Sequence, residues 1–369
     1  MASVQSQRKK KGRLNSTYKS LGGPSNPSPT PEVEKKAEKE DRTLSRNIDE
    51  VVFADHSFKT WYPSWYPKEI LGEKALALAE EGKGTGIVVK TLYICRKCFK
   101  YSMDGVEWKT HQDLCEKNND PPGQEIYVKN RGKGEEAGEG RWTVWEVDGA
   151  VDKLFCQNLS LFAKLFLDNK SVFFDVEAFK YFLYVHTNLE SGDKQIIGFF
   201  SKEKMSWDNN NLACILIFPP WQKKGLGSNL IGISYSIARR ERIMGGPEKP
   251  ISDLGRKSYK RYWGAVIGRW LLNNFEEENK NYSKKKGMPT INVSIISKET
   301  WIHADDVQYM LREMNFVKLI GKGPACEMDI NGVEEWLAKN KVSIAQVVDE
   351  DGFLPGYAEK KTSEEREPN

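Results

Sequence analysis

Cys95, Cys98, His111 and Cys115 are spaced Cys-x2-Cys-x12-His-x3-Cys, which is ligand spacing for a metal. Two ligands on a tight turn, about a dozen residues, then two more roughly one helical turn apart can enclose a tetrahedral zinc ion. The stretch "WKTHQDLC" favours a helix, whose i, i+4 geometry puts His111 and Cys115 on one face. Four protein ligands leave no open coordination position, so such an ion is structural. The competing reading, buried cysteines beside an incidental histidine, requires the spacing to be a coincidence. Lys109 and Lys117 sit among Glu107, Asp113 and Glu116, so this helix lacks a basic DNA-reading face, and no sequence-specific DNA binding is expected. Cys156 and Cys326 have no ligand-spaced partners and read as core thiols, while His56, His186 and His303 are isolated in sequence.

A second stretch, "PPWQKKGLGSNL" at residues 219–230, follows the apolar run "NLACILIF". Gly225 and Gly227 let backbone approach a ligand closely, and a helix N-terminus offers unpaired N–H groups to an anion. Two readings are open at this point: a phosphate cradle, or an ordinary strand-to-helix connection.

The elements that would position these residues form a mixed α+β pattern. "GIVVKTLYICRKCFKY" is β-rich, and "KLFCQNLSLFAKLFLD" has apolar residues at helical spacing. "KSVFFDV" reads as a strand, and "FKYFLYVH" and "KQIIGFFSK" flank the turn-like "NLESGD". Leu226, Leu230, Ile233 and Ile237 mark an amphipathic helix expected to end near Gly245. "SYKRYWGAVIGRWLLNNFEE" is a further helix, and "ADDVQYMLREMNFVKLIGKG" a helix-turn-strand unit. The first fifty residues are rich in Ser, Pro and charge and include "QRKKKGR", which predicts a disordered basic tail. That tail suits a nuclear import signal, a nucleic-acid contact or plain solvation. No apolar stretch approaches the roughly 18 residues of a membrane span, and no secretory signal is present, so no membrane partner is expected. Over 369 residues the net charge is only +4, but the basic residues are unevenly laid out.

Taken together, the finger, "FLDNKSVFFDV", "GFFSKEK", "ACILIFPPWQKKGLGSNLI", "GGPEKPISDLG" and "SYKRYW" resemble, in order, the MYST family of lysine (histone) acetyltransferases. The resemblance spans roughly residues 50 to 345. It implies a central N-acetyltransferase-like α/β core between a zinc-finger region and a helix-turn-helix-like region. The corresponding boundaries are a tail at 1–50 and an N-terminal region at 51–150, with the C2HC finger at about 93–117. The acetyl-CoA-binding core follows at 151–262, the C-terminal region at 263–348 and a disordered tail at 349–369.

By the same resemblance, Gln222, Lys223, Lys224, Gly225, Leu226, Gly227 and Ser228 match the pyrophosphate loop. The two lysines either add charge or face solvent. Ile215, Leu216 and Ile217 match the strand along the pantetheine arm, and Ser252 matches a serine that contacts the coenzyme. Glu248 matches the catalytic glutamate. A lysine amine with pKa near 10.4 is almost wholly protonated at neutral pH, so acetyl transfer to it needs a base. Cys214 matches the active-site cysteine, which either accepts the acetyl group or lines the pocket during direct transfer. Lys170 matches an autoacetylated lysine, the alternative being an exposed lysine at a helix end. Arg261 stands where a small coenzyme-contacting residue is common, so no contact is assigned to it.

The implied function is a nuclear histone acetyltransferase acting on a histone H4 tail or nucleosome, using acetyl-CoA as cosubstrate and zinc as structural metal. The chain looks most similar to the compact fungal silencing-associated (SAS) branch, which works within a small chromatin-modifying complex. The alternatives are an acetyltransferase of non-histone proteins and a chromatin adaptor that keeps the fold without turnover.

Overall fold

A strand buried on both faces must be apolar at every position, and residues 181–185, "YFLYV", are such a run. They lie at the centre of the larger of two main sheets. The computed structural model describes residues 46–80, 85–117, 119–129, 140–280, 292–319, 326–328 and 330–359. The expected N-terminal tail up to residue 45 lies outside them, as does everything after 359.

The first sheet contains β1 (Ile48–Phe53) and β2 (His56–Lys59). Two short helices follow, α1 (Lys68–Leu71) and α2 (Glu73–Glu80). β3 (Val89–Ile94) then runs parallel to β1, and β4 (Tyr101–Ser102) completes the order β2-β1-β3-β4. Behind β4 comes α3 (Gly105–Cys115).

The second sheet is antiparallel and runs in chain order from β5 (Gln124–Val128) through β6 (Arg141–Asp148). Helix α4 (Lys153–Lys164) intervenes before β7 (Phe179–Thr187), β8 (Lys194–Glu203) and β9 (Cys214–Ile217). Successive strand residues face opposite sides. Tyr181, Leu183 and Val185 of β7 therefore join one core with Leu159 and Phe162 of α4 and with Val51, Phe53 and Leu92 of the first sheet. Phe182 and Tyr184 join the opposite core with Leu226, Leu230, Ile233 and Ile237 of α5 (Leu226–Arg240).

The other face of α5 presents Ile231 and Tyr235 to a third core. That core is built from α6 (Asp253–Lys280), α7 (Val293–Thr300) and α8 (Ala304–Glu313). A small hairpin, β10 (Val317–Leu319) with β11 (Cys326–Met328), leads to α9 (Ile330–Asn340), whose Val333 and Leu337 close it. Among the described residues no helix is long and apolar enough to cross a membrane.

The expected strand at "KSVFFDV" does not form. β7 is already paired on both sides by β6 and β8, and residues 171–175 lie outside any strand. The helix expected to run to Gly245 ends at Arg240, and the boundary drawn at residue 262 falls inside α6. Residues 349–359, expected to be part of a disordered tail, pack against the rest of the protein. Phe353 is 4% exposed, packs edge-on against Tyr127 with 4.9 Å between ring centroids, and lies under the Arg240 guanidinium. The Leu354 N–H donates to the Ile126 carbonyl at 2.9 Å, and the Tyr357 hydroxyl donates to the Glu146 carboxylate. A few aromatic anchors suffice to hold this segment despite its polar composition.

Candidate active site and metal centre

β3 ends in a turn that the Phe99 N–H closes on the Cys95 carbonyl at 2.9 Å, while the Cys95 N–H donates to Lys100 at 2.8 Å. Across from it, the Asp104 carboxylate caps α3 by accepting from the Val106 and Glu107 N–H groups at 2.7 and 3.3 Å. The helix so started carries His111 and Cys115 one turn apart. The ligand atoms of Cys95, Cys98, His111 and Cys115 all lie within 4.8 Å of one another, with Cys98 Sγ 3.2 Å from His111 Nε2. Three sulfurs and one imidazole form a donor set suited to tetrahedral zinc. The hydrogen bond between the Cys98 and Cys95 thiols pulls Cys95 down to about 5 and pushes Cys98 up, while burial raises Cys115, so one of the three sulfurs is readily a thiolate.

Spacing did not disclose what the two residues between Cys95 and Cys98 do. The Arg96 guanidinium takes both oxygens of Asp193, at 2.5 and 3.2 Å, and also Glu116 at 2.9 Å. Lys97 Nζ donates to Asp193, Asn119 and the Lys194 carbonyl at 3.1, 2.9 and 2.7 Å. Asp193 precedes β8, so the knuckle is fastened to the central sheet.

The second expected site gathers along β9, the edge strand next to β8. Among the described residues β9, bearing Cys214, Ile215, Leu216 and Ile217, is paired only with β8 and leaves its other side without a strand. Gln222 serves the turn that follows, its Nε2 donating to the Ile217 carbonyl at 2.7 Å. Lys223 and Gly225 then adopt left-handed backbone, with φ of 65° and 79°, and Gly225 begins α5. The Ser228 N–H donates back to Gly225 at 3.0 Å, and among the described residues no acceptor meets the N–H groups of 223–227. A Cβ on Gly225 would meet nothing within 4 Å, and one on Gly227 only Ser258 Oγ at 3.9 Å. Free amides, open space and a helix N-terminus together fit the pyrophosphate of a coenzyme. Lys223 and Lys224 are exposed at its rim, Leu226 is buried beneath it, and Asn229 Nδ2 donates to the Tyr184 hydroxyl at 3.1 Å to steady the first turn.

Ser252 Oγ accepts from the Gly255 N–H at 3.2 Å at the start of α6, which makes it a helix cap as well as a candidate contact. Ser258, which faces Gly227, was not foreseen. Arg261 is engaged elsewhere: its guanidinium donates to the Asn340 and Lys341 carbonyls at 3.3 and 3.0 Å.

Glu248 reaches the same edge through a backbone splice. Asn211 N–H donates to the Gly246 carbonyl at 2.9 Å, Glu248 N–H donates to the Leu212 carbonyl at 2.8 Å, and Pro247 bridges Leu212 in parallel. The approach is so close at Gly245 that a Cβ there would lie 1.7 Å from the Asn209 carbonyl oxygen. Glu248 is thereby held at the start of β9, the end that carries half-buried Cys214, whose N–H donates to Ser201 Oγ at 3.3 Å. The Glu248 carboxyl is held above its ordinary range by partial desolvation first and the nearby Glu203 second, with Lys170 opposing. Lys170 is 6% exposed, so the alternative of an exposed helix-end lysine is set aside. Glu203, at the end of β8, was also unforeseen; it lies two residues beyond Ser201, the partner of Cys214 across the strands. Cys156 is a buried thiol as expected, whereas the Cys326 side chain lies outside the description.

A family profile described as "MOZ/SAS family" matches residues 120–353. Histone acetyltransferase MOF of Drosophila melanogaster is 36% identical over 281 residues, which is 76% of this chain and 29% of the relative. The Histone acetyltransferase Tip60 homolog of Caenorhabditis elegans is 33% identical over 276 residues, 75% of this chain and 52% of that protein. Histone acetyltransferase KAT6A of Homo sapiens is 36% identical over 267 residues, 72% of this chain and 11% of its own length. The chain thus spans about half of one of these relatives and less of the other two.

Proposed function

Because the chain belongs to the MOZ/SAS family, we propose that it is a histone acetyltransferase, moving an acetyl group from acetyl-coenzyme A to a histone lysine. The observation that carries this reading is the splice that lays Glu248, its carboxyl raised, beside the edge strand that leads into the amide cradle. Free backbone groups on β9 would pair with the pantetheine amides, and the N–H groups of 223–227 would hold the pyrophosphate, aided by the positive end of α5. The bound coenzyme supplies the acetyl thioester. Glu248 takes a proton from the lysine ammonium, which frees the nitrogen lone pair; the C–N bond then forms as the thioester C–S bond breaks, and the second nitrogen proton is lost as the coenzyme A thiolate leaves and is protonated to the thiol. A carboxyl raised toward neutrality is a better acceptor for that proton than an ordinary one. We assign Cys214 to the wall of the pocket, because an amine and a positioned base already complete the transfer.

The acceptor we propose is the histone H4 tail, and the compartment the nucleus. Work within a small complex, on the pattern of the silencing-associated branch, rests on the compact sequence pattern alone; relatives at 33–36% identity carry three other names and do not favour one branch. The four-ligand knuckle would hold zinc in a structural role. Incubating the protein with acetyl-coenzyme A and histones or nucleosomes, then mapping acetyl-lysine by mass spectrometry, tests the reading. Label on the H4 tail is the expected result. No label on any histone, even with cell extract added, would favour the non-histone or adaptor alternatives.

A further inference from the structure

Lys249 immediately follows Glu248, and a free ammonium on that neighbour could fold back and pair with the carboxylate. It points elsewhere. Lys249 Nζ lies 3.3 Å from Asp306 Oδ1, at the first turn of α8. The Asp306 side chain is 8% exposed against 57% for Lys249, so the cation is drawn to a fixed, buried anion site. The other oxygen, Oδ2, is buried with no hydrogen-bond partner among the described residues, and a Cβ on Gly246 would sit 3.2 Å from it. Asp306 therefore abuts the backbone of the loop bearing Glu248 while also receiving the neighbour of Glu248.

We propose that Asp306 is a positioning residue for acetyl transfer: by holding the Lys249 ammonium against α8, it keeps that cation off Glu248. The inference rests on the reading of Glu248 as the base. A buried carboxylate with an unsatisfied oxygen is costly, which argues for a role beyond packing. Around Asp306 stand Lys249 from the loop, His303 and Asp305 from its own helix end, and the buried Tyr259 and Tyr235 phenols from α6 and α5. Around Glu248 stand Glu203 from β8 and Lys170 from the segment after α4. Burial raises the Asp306 carboxyl above its ordinary range and Lys249 lowers it, so the pair is most secure at neutral pH and above. Removing the anion frees the cation for Glu248, and an opposite charge at contact lowers a carboxyl by about one unit or more.

The test is the acid limb of the kcat/KM–pH profile, which reports the base in the free enzyme. Asp306→Asn should move that limb down by about one pH unit and lower the plateau kcat several-fold, with KM for acetyl-coenzyme A little changed. Asp306→Asn with Lys249→Met should return the limb to its wild-type position. A uniform rate loss with the limb unmoved, or no return in the double variant, overturns the proposal and leaves Asp306 a packing residue. Lys249→Met alone keeps the test open should Asp306→Asn fail to fold. Its limb should stay within about 0.3 unit of wild type, and an upward shift of about a unit would mean that Lys249 already acts on Glu248, which also overturns the idea. Glu248→Gln is run alongside. If that variant keeps full rate the base reading falls, and this inference with it; if it is inactive while the Asp306 shifts are absent, only this inference falls.

Discussion

The metal knuckle, built on the first sheet and tied to the start of β8, and the proposed catalytic edge at β9 are assembled in opposite ways. The knuckle completes itself within residues 95–115: one turn, one capped helix and four converging ligands. The edge draws Lys170, Glu203, Cys214, Gly225 and Glu248 from five separate segments and leaves a strand side and a row of amides free. A closed site needs only local geometry to be right, whereas an open one needs the whole sheet and both helical cores. Substitutions in the knuckle should therefore act on the fold, and substitutions at the edge on rate or coenzyme affinity.

The largest effect is expected at the knuckle. Metal binding to the native state is folding free energy, so Cys98→Ser should yield insoluble or readily melting protein with under one equivalent of zinc. Zinc-free protein with an unaltered melting curve would break the contrast. Next comes Glu248→Gln, which keeps shape and removes the proton acceptor. Turnover should fall by about 100-fold or more while coenzyme affinity by calorimetry barely moves. Its sign with pH is fixed: the base must be ionised, and its pKa is raised, so wild-type kcat/KM should decline with acidification at a pH above the ordinary glutamate range near 4.3. Glu248→Gln should lose that limb and recover partly at high pH, where more substrate amine is neutral. Full activity at neutral pH, with chemistry rate-limiting, would remove Glu248 from the role.

A smaller change is expected from Gly227→Glu, which puts a side chain and a negative charge into the space above the free amides. Acetyl-coenzyme A should bind about tenfold more weakly, a loss near 1.4 kcal/mol, with the melting midpoint preserved. Unchanged affinity would move the cradle elsewhere. Smallest of all is Arg96→Ala, which cuts the fork joining the knuckle to Asp193. The Asp193 side chain is 36% exposed, so solvent screening limits the loss to about 1 kcal/mol or less, a midpoint shift of no more than about 3 °C. Zinc should stay bound. If it is lost, the knuckle depends on the sheet and is not self-sufficient.

The same division explains what could be read from the chain. Ligand spacing is a local code, so Cys95, Cys98, His111 and Cys115 were legible outright, as were α5 and α6 from their periodicity. Glu248 was legible only through its motif, because residue chemistry alone makes it one surface glutamate among many. The partners that tune it, Glu203 and buried Lys170, come from distant segments whose meeting depends on register. The Lys249–Asp306 contact joins a loop to a helix 57 residues further along the chain, and no spacing encodes that. The strand expected at "KSVFFDV" failed for a related reason: β-propensity cannot report that both neighbours of β7 are already taken. Residues 349–359 read as part of a disordered tail by composition, because their anchoring depends on a few aromatic, backbone and ionic contacts to distant segments.

That last segment bears on the order in which the molecule can be made. Tyr127, on β5, is covered by Phe353, and Ile126 accepts its hydrogen bond from Leu354. Neither contact can form until synthesis has passed residue 354, long after the sheet and α5 have left the ribosome. Contacts of such sequence separation form slowly, and the surface they cover is exposed in the meantime. The core between the sheet and α5 is thus sealed late, which makes the β5 edge the place where a nascent or truncated chain is most open to association with another.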